Sequence, residues 1–160
     1  MSPMYGEHAR FMALPNQEKL GIYETVLTFH EHVSAQGYVA IDFYDGCILY
    51  DFEARRTRLC DVEFYRPGPV VNDMGRMWGS SRFMSPEEFT LGAVIDERSN
   101  VFTMGQTAFQ LFGGGMDHAP EKWQAAEALY AVALKAVSVC REDRYATIAE
   151  LHAAWRQAMA

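Results

Sequence analysis

The sequence predicts a mainly α-helical fold carrying one small β-hairpin, an α+β class, and three observations predict it. Apolar residues recur at helical spacing from Leu20 to Val33. Short strand-like stretches crowd between Tyr38 and Val62, and helical patterns return from Ser99 to the C-terminus. With 160 residues, 49% of them hydrophobic, the chain is long enough to bury a core of its own, so residues 1–160 are expected to form a single domain.

Pro15 and Asn16 break the chain ahead of the first long helix. There Leu20, Tyr23, Val26, Leu27, Phe29 and Val33 fall mostly three or four positions apart, and Gly37 ends the run. Tyr38–Ile41 and Cys47–Phe52 read as brief strands around the loop 42–46, and a turn at 53–57 leads to a third, Arg58–Val62. Residues 63–82 hold Pro67, Gly68, Pro69, Gly75 and Gly79 and read as a long loop. Pro86 opens a short helix. A stronger one follows near Ser99, with Val101, Phe102, Met104, Ala108, Leu111 and Phe112, and stops at Gly113–Gly115. Pro120 opens an Ala-rich helix expected to run to about Val139. Ile148, Leu151 and Trp155 share a face of the last helix, over roughly 147–159.

Charge and cysteine usage exclude several classes of function. A net charge of −7, with 14 Lys plus Arg against 21 Asp plus Glu, leaves no basic stripe for nucleic acid. No apolar run reaches membrane-spanning length, and Met1 to Arg10 carries no signal-peptide core, so no membrane partner is expected. Cys47, Cys60 and Cys140 are widely spaced, with no CxxC pair. That pattern predicts neither a disulfide framework nor a zinc cluster, and a reducing, cytoplasmic location.

The residues with the clearest chemistry are Asp42 and Asp61. Each sits at the edge of a short strand, and the hairpin between them can bring both to one face. Phosphoryl transfer uses such a pair: one carboxylate orients the attacking hydroxyl or accepts its proton, and the other holds the Mg²⁺ that bridges the phosphates. On spacing alone, two solvated loop acids are the simpler reading.

The order of several motifs adds to this. The run Asp42-Phe43-Tyr44-Asp45-Gly46-Cys47-Ile48-Leu49-Tyr50-Asp51 resembles the catalytic loop of the bacterial Ser/Thr protein-kinase-like family. Asp61-Val62-Glu63 stands where that family has its metal-binding Asp-Phe-Gly. Gly79-Ser80-Ser81-Arg82-Phe83-Met84-Ser85-Pro86-Glu87 resembles the end of its activation segment. Asp96 to Gly105 resembles the start of its buried central helix, and Arg144 matches its late arginine. The likeness covers residues 16–157. It implies the C-terminal lobe of the protein-kinase-like fold: a post-hinge segment at 1–15, catalytic loop and hairpin at 38–62, activation segment at 61–87 and helical subdomain at 96–159. It further implies Asp42 as catalytic base, Asp61 as the Mg²⁺ ligand, Ser80 on the substrate side and Asn100 as the anchor of the catalytic loop. Glu87 and Arg144 would be a buried structural ion pair. ATP would be the donor, and a hydroxyl of a protein or small molecule the acceptor.

The departures from the family are as specific as the matches. Ala40 and Ile41 replace the His and Arg before the catalytic Asp, and Tyr44 replaces a phosphate-contacting Lys. Cys47 replaces the Asn that holds a second metal, and a thiol is a poor ligand for hard Mg²⁺. The metal would then rest on Asp61, supported by Asp45 through water. Glu63, in place of a Gly, reads as a surface acid or an added metal-side carboxylate. No glycine-rich loop or lysine strand precedes Asp42. Lys19, the only earlier lysine, reads as solvated. The chain is therefore expected to be truncated, lacking its N-terminal lobe and inactive without it. A silent pseudokinase or binding module, and self-association through apolar surface near the hairpin, are the competing expectations. His30 and His32 read as surface residues on different helix faces. The aromatic cluster of Phe43, Tyr44, Tyr50, Phe52, Phe64 and Tyr65 reads as core.

Overall fold

A computed structural model describes residues 3–160. Among them are five α-helices: α1 (Pro3–Met12), α2 (Asn16–Ala35), α3 (Glu97–Phe112), α4 (Glu127–Ala136) and α5 (Ile148–Met159). Six short strands, β1 (Tyr38–Val39), β2 (Ile48–Asp51), β3 (Arg56–Leu59), β4 (Arg66–Pro67), β5 (Val70–Val71) and β6 (Val94–Ile95), pair as three two-stranded antiparallel sheets. The pairs are β1 with β4, β2 with β3, and β5 with β6. The fold is thus mostly helical with small antiparallel sheets. Among the described residues no helix is long and apolar enough to cross a membrane.

Helix α3 is the post around which the rest packs. Asp96 caps it by accepting from the Arg98 amide at 2.9 Å, while the Ser99 hydroxyl accepts from the Asp96 amide. Most of its side chains are buried, because α2, α4 and α5 all lie against it. Tyr23, Val26 and Leu27 of α2 meet Val101, Met104, Ala108 and Phe112 of α3 in one core with Leu129 and Ala133 of α4 and Leu151 and Trp155 of α5. Each such side chain contributes about 1.5–3 kcal/mol by leaving water. Within the core the Tyr23 hydroxyl donates to the Met104 carbonyl at 2.8 Å, so burying it leaves no polar atom unpaired. Gly105 lets α4 approach: a Cβ there would lie 2.7 Å from the Ala136 Cβ and 2.9 Å from Val137 Cγ1. Gly113, with φ of 101°, ends α3 in backbone that favours glycine.

Several expectations need correcting. Residues 3–12, read only as part of a post-hinge segment, form a helix, while Met1 and Ser2 lie outside the described residues. Pro120 opens only a 3₁₀ turn, Pro120–Lys122, and the Ala-rich helix begins at Glu127 and ends at Ala136. The third strand lies at Arg56–Leu59, two to three residues earlier than expected, because the register Asp51↔Arg56 tightens the turn. The "loop" 63–82 contains β4 and β5, whose partners are far away in sequence. Lys19 is buried, not solvated, and burial lowers its pKa. His30 is also buried. One ring nitrogen meets the Val26 carbonyl at 2.8 Å and the other the Tyr65 hydroxyl at 2.7 Å.

Candidate functional site

The two candidate aspartates lie toward the open end of the hairpin β2–β3. Ahead of β2 the chain leaves β1, passes Ala40 and Ile41, and reaches Asp42. Asn100, from the first turns of α3, grips this passage at both polar groups of Ala40. Its side-chain carbonyl accepts from the Ala40 amide at 2.8 Å, and its amide donates to the Ala40 carbonyl at 2.9 Å. Two bonds from one buried side chain fix the backbone two residues before Asp42, at about 1 kcal/mol each.

Asp42 and Asp61 then both adopt left-handed backbone, with φ of 63° and 57°. This conformation is uncommon for a residue with a Cβ, and Asp tolerates it better than most. Asp61 follows Cys60 at the end of β3, so the two aspartates stand at the two feet of one hairpin. Asp42 is half-buried, and its carboxyl titrates above the usual range, first through loss of water and then through the negative charges of Glu63 and Asp61. Asp61 and Glu63 are themselves exposed. Opposite them lies Gly79, at φ 149°, where a Cβ would stand 3.6 Å from Asp42 Oδ1 and 3.2 Å from Met84 Cγ. Ser80, the next residue, is half-buried, and its carbonyl accepts from the Phe83 amide at 2.9 Å.

Two residues assigned to metal support are otherwise occupied. Both carboxylate oxygens of Asp45 accept from Arg82, each at 3.0 Å, a bidentate pair that ties the 42–47 segment to the 80–84 loop. Burial pushes the Cys47 thiol up to about 11, so at neutral pH it remains a thiol, which points its hydrogen at the Asp42 carbonyl at 3.7 Å. Among the described residues no three His, Cys, Asp or Glu side chains are arranged to hold a metal ion. Asp61 and Glu63, both exposed, are the carboxylates whose charge acts on Asp42, and a hard cation held by them would take most of its ligands from outside the protein. The negative charges of Glu63 and Asp61 raise the cost of ionising Asp42, and a divalent cation beside it would relieve that cost.

Beside this acidic site runs a groove of about 570 Å³. Phe11 and Met12 of α1, Ile48, Leu49 and Phe52 of the hairpin, and Leu111 of α3 line it, with Asp45 and Arg82 at its edge. Leu49 is 53% exposed, unusual for a leucine in a paired strand.

No protein-family model matches the chain, and no curated protein matches it.

Glu87 and Arg144 lie away from the acidic pair. Arg144 donates to both Glu87 oxygens, at 2.6 and 3.2 Å, with its side chain fully buried. Arg141 joins them, reaching Glu87 at 2.8 Å and Asp96 at 2.6 Å. The sequence reading did not anticipate Arg141, Arg82 or Gly79 as partners. Arg82 lies 37 positions from Asp45 and Arg141 lies 54 from Glu87, and neither pair has a local signal. Gly79 could have been found, since a glycine beside two serines in an otherwise bulky stretch is a place where backbone must come close.

Proposed function

We propose that this chain is the catalytic half of an ATP-dependent, protein-kinase-like phosphotransferase that moves a phosphoryl group onto a hydroxyl. The observation that carries the reading is the pair of aspartates at the two feet of one hairpin, close enough that the charge of Asp61 raises the titration of Asp42. In this reading Asp42 orients the acceptor hydroxyl and takes its proton at a carboxylate oxygen. Its raised pKa brings it nearer to the working pH of a general base. Asn100 keeps that carboxylate in register by holding Ala40. Asp61, with Glu63 beside it, would hold Mg²⁺, which neutralises charge on the phosphates when bound. Gly79 leaves space over Asp42, and Ser80 lines the acceptor side. The apolar groove with its exposed Leu49 suits the non-phosphate part of a ligand. A glycine-rich loop and lysine for the ATP phosphates would come from an N-terminal lobe.

The test is phosphoryl transfer from labelled ATP with such a lobe supplied. Asp42→Asn is expected to lower the rate by about 10²-fold or more, the usual worth of a general base. Asp61→Asn is expected to weaken Mg-ATP binding. Equal rates for wild type and Asp42→Asn exclude the reading.

A second reading, a silent binding module, is favoured by one specific feature: Asp45 and Cys47 are both unavailable to a metal. Mg-ATP titration followed by thermal shift separates the two, since a silent module shows no shift.

A further inference from the structure

We infer that Cys47 and Cys60 form a reversible disulfide under oxidation, a modification site at the open end of the hairpin. The pairing of β2 and β3 leaves them next to each other just beyond its last step. Ile48 pairs with Leu59, and the next step of the ladder is Cys60 donating its amide to the Cys47 carbonyl at 2.9 Å. Cys47 itself closes a 3₁₀ turn, its amide donating to the Tyr44 carbonyl at 3.0 Å, so a single backbone bond joins it to Cys60; a bond of that length keeps the two Cα atoms about 5–6.5 Å apart. A disulfide spans Cα separations of about 4.4–6.8 Å. Each thiol also reaches a carbonyl of the loop 42–46. Cys47 Sγ donates to the Asp42 carbonyl at 3.7 Å. Cys60 Sγ additionally lies 4.0 Å from the Gly46 carbonyl. All three cysteines are free, with Cys47 buried, Cys60 partly exposed and Cys140 exposed and bonded to Glu142.

Exposure sets the order of events. A peroxide reaches Cys60 first: an S–O bond forms, the O–O bond breaks, and Cys60 becomes a sulfenic acid with release of water. The Cys47 sulfur then attacks that sulfur. The S–S bond forms, the S–O bond breaks, and the departing hydroxide leaves with the thiol proton as a second water. Two thiols and one hydrogen peroxide thus give one disulfide and two waters, and a dithiol reductant reverses it. The bond removes the Cys47 thiol contact to the Asp42 carbonyl and the Cys60 contact to the Gly46 carbonyl, and fixes the feet of the hairpin to each other. It forms whether or not the chain transfers phosphate.

Hydrogen peroxide treatment at mildly alkaline pH, followed by alkylation and tryptic mapping, tests it. The expected product links the peptide containing Cys47 to the one containing Cys60, with Cys140 still alkylated. Cys47→Ser and Cys60→Ser each abolish the link and Cys140→Ser leaves it. The oxidised wild type also unfolds a few degrees higher, and the shift vanishes on reduction and is absent in Cys60→Ser. Separate alkylation or over-oxidation of Cys47 and Cys60 after treatment, or disulfides formed only between chains through Cys140, overturns the inference.

Discussion

At the scale of single residues, burial sets two titrations against each other. Glu88 is almost fully buried. Burial pushes its carboxyl up to about 7, although the Ser85 amide and hydroxyl both donate to it, at 2.6 and 2.8 Å. The unfolded chain ionises this group first, so its contribution to stability is whole below the ordinary value of 4.5 and fades as pH rises toward 7. His30 works in the other direction. Burial lowers it from 6.5 to about 4, so as pH falls through that window the unfolded chain takes up a proton that the native state refuses. The two slopes oppose each other over nearly the same range. Glu88→Gln removes one of them. Between pH 7 and 4.5 the variant is expected to lose about 3 kcal/mol more stability than wild type, measured by urea unfolding at each pH. Equal losses would mean that Glu88 ionises normally. His30 was read as a surface residue because helical spacing separates it from His32. Spacing does separate their faces, but it cannot say which face is covered, and Phe43 and Tyr65 cover this one.

At the scale of elements, the contact of α3 with α4 depends on a single missing side chain. Gly105→Ala would set a methyl 2.7 Å from the Ala136 Cβ, 2.9 Å from Val137 Cγ1 and 3.1 Å from the Ala133 carbonyl, none of them the far end of a long, flexible side chain. Overpacking of this kind costs about 1–3 kcal/mol, more than the better helix propensity of alanine returns. Thermal unfolding of Gly105→Ala checks it, and an unchanged or higher midpoint would contradict the packing. The long helices were legible in the sequence because α2, α3 and α5 each bury a face at period 3.6 and end at Gly37, Gly113 or the chain terminus. The two-residue strands were not legible. β5 and β6 are held by pairing across more than twenty positions, and period two has no meaning over two residues. The start of α4 was misplaced because Pro120 is a good first helical residue that here opens only a 3₁₀ turn.

At the scale of the molecule, the 61–87 segment is joined to the helices through Glu87. Arg144 and Arg141 both donate to it, Arg141 continues to Asp96 at the cap of α3, and Arg144 also donates to the Ser138 carbonyl at 2.7 Å. Arg144→Leu leaves the buried Glu87 carboxylate with Arg141 alone and is expected to cost about 3–5 kcal/mol by denaturant unfolding. A loss under 1 kcal/mol would mean that Arg141 suffices. The acidic site was legible to the extent that motif order singles out Asp42 and Asp61. What stayed hidden was the pairing that removes Asp45 and Cys47 from metal binding, because Arg82 and the burial of a thiol are tertiary facts.

The grip of Asn100 on Ala40 ties the mobility of the acidic loop to that of the central helix. A loop held only by its neighbours can breathe alone, whereas this one can shift at Ala40 only when a buried amide side chain abandons both of its partners at once. The far rim is coupled to the same floor, because Arg82 holds both oxygens of Asp45 and Gly79 lies against Asp42, so a shift of either side is felt by the other.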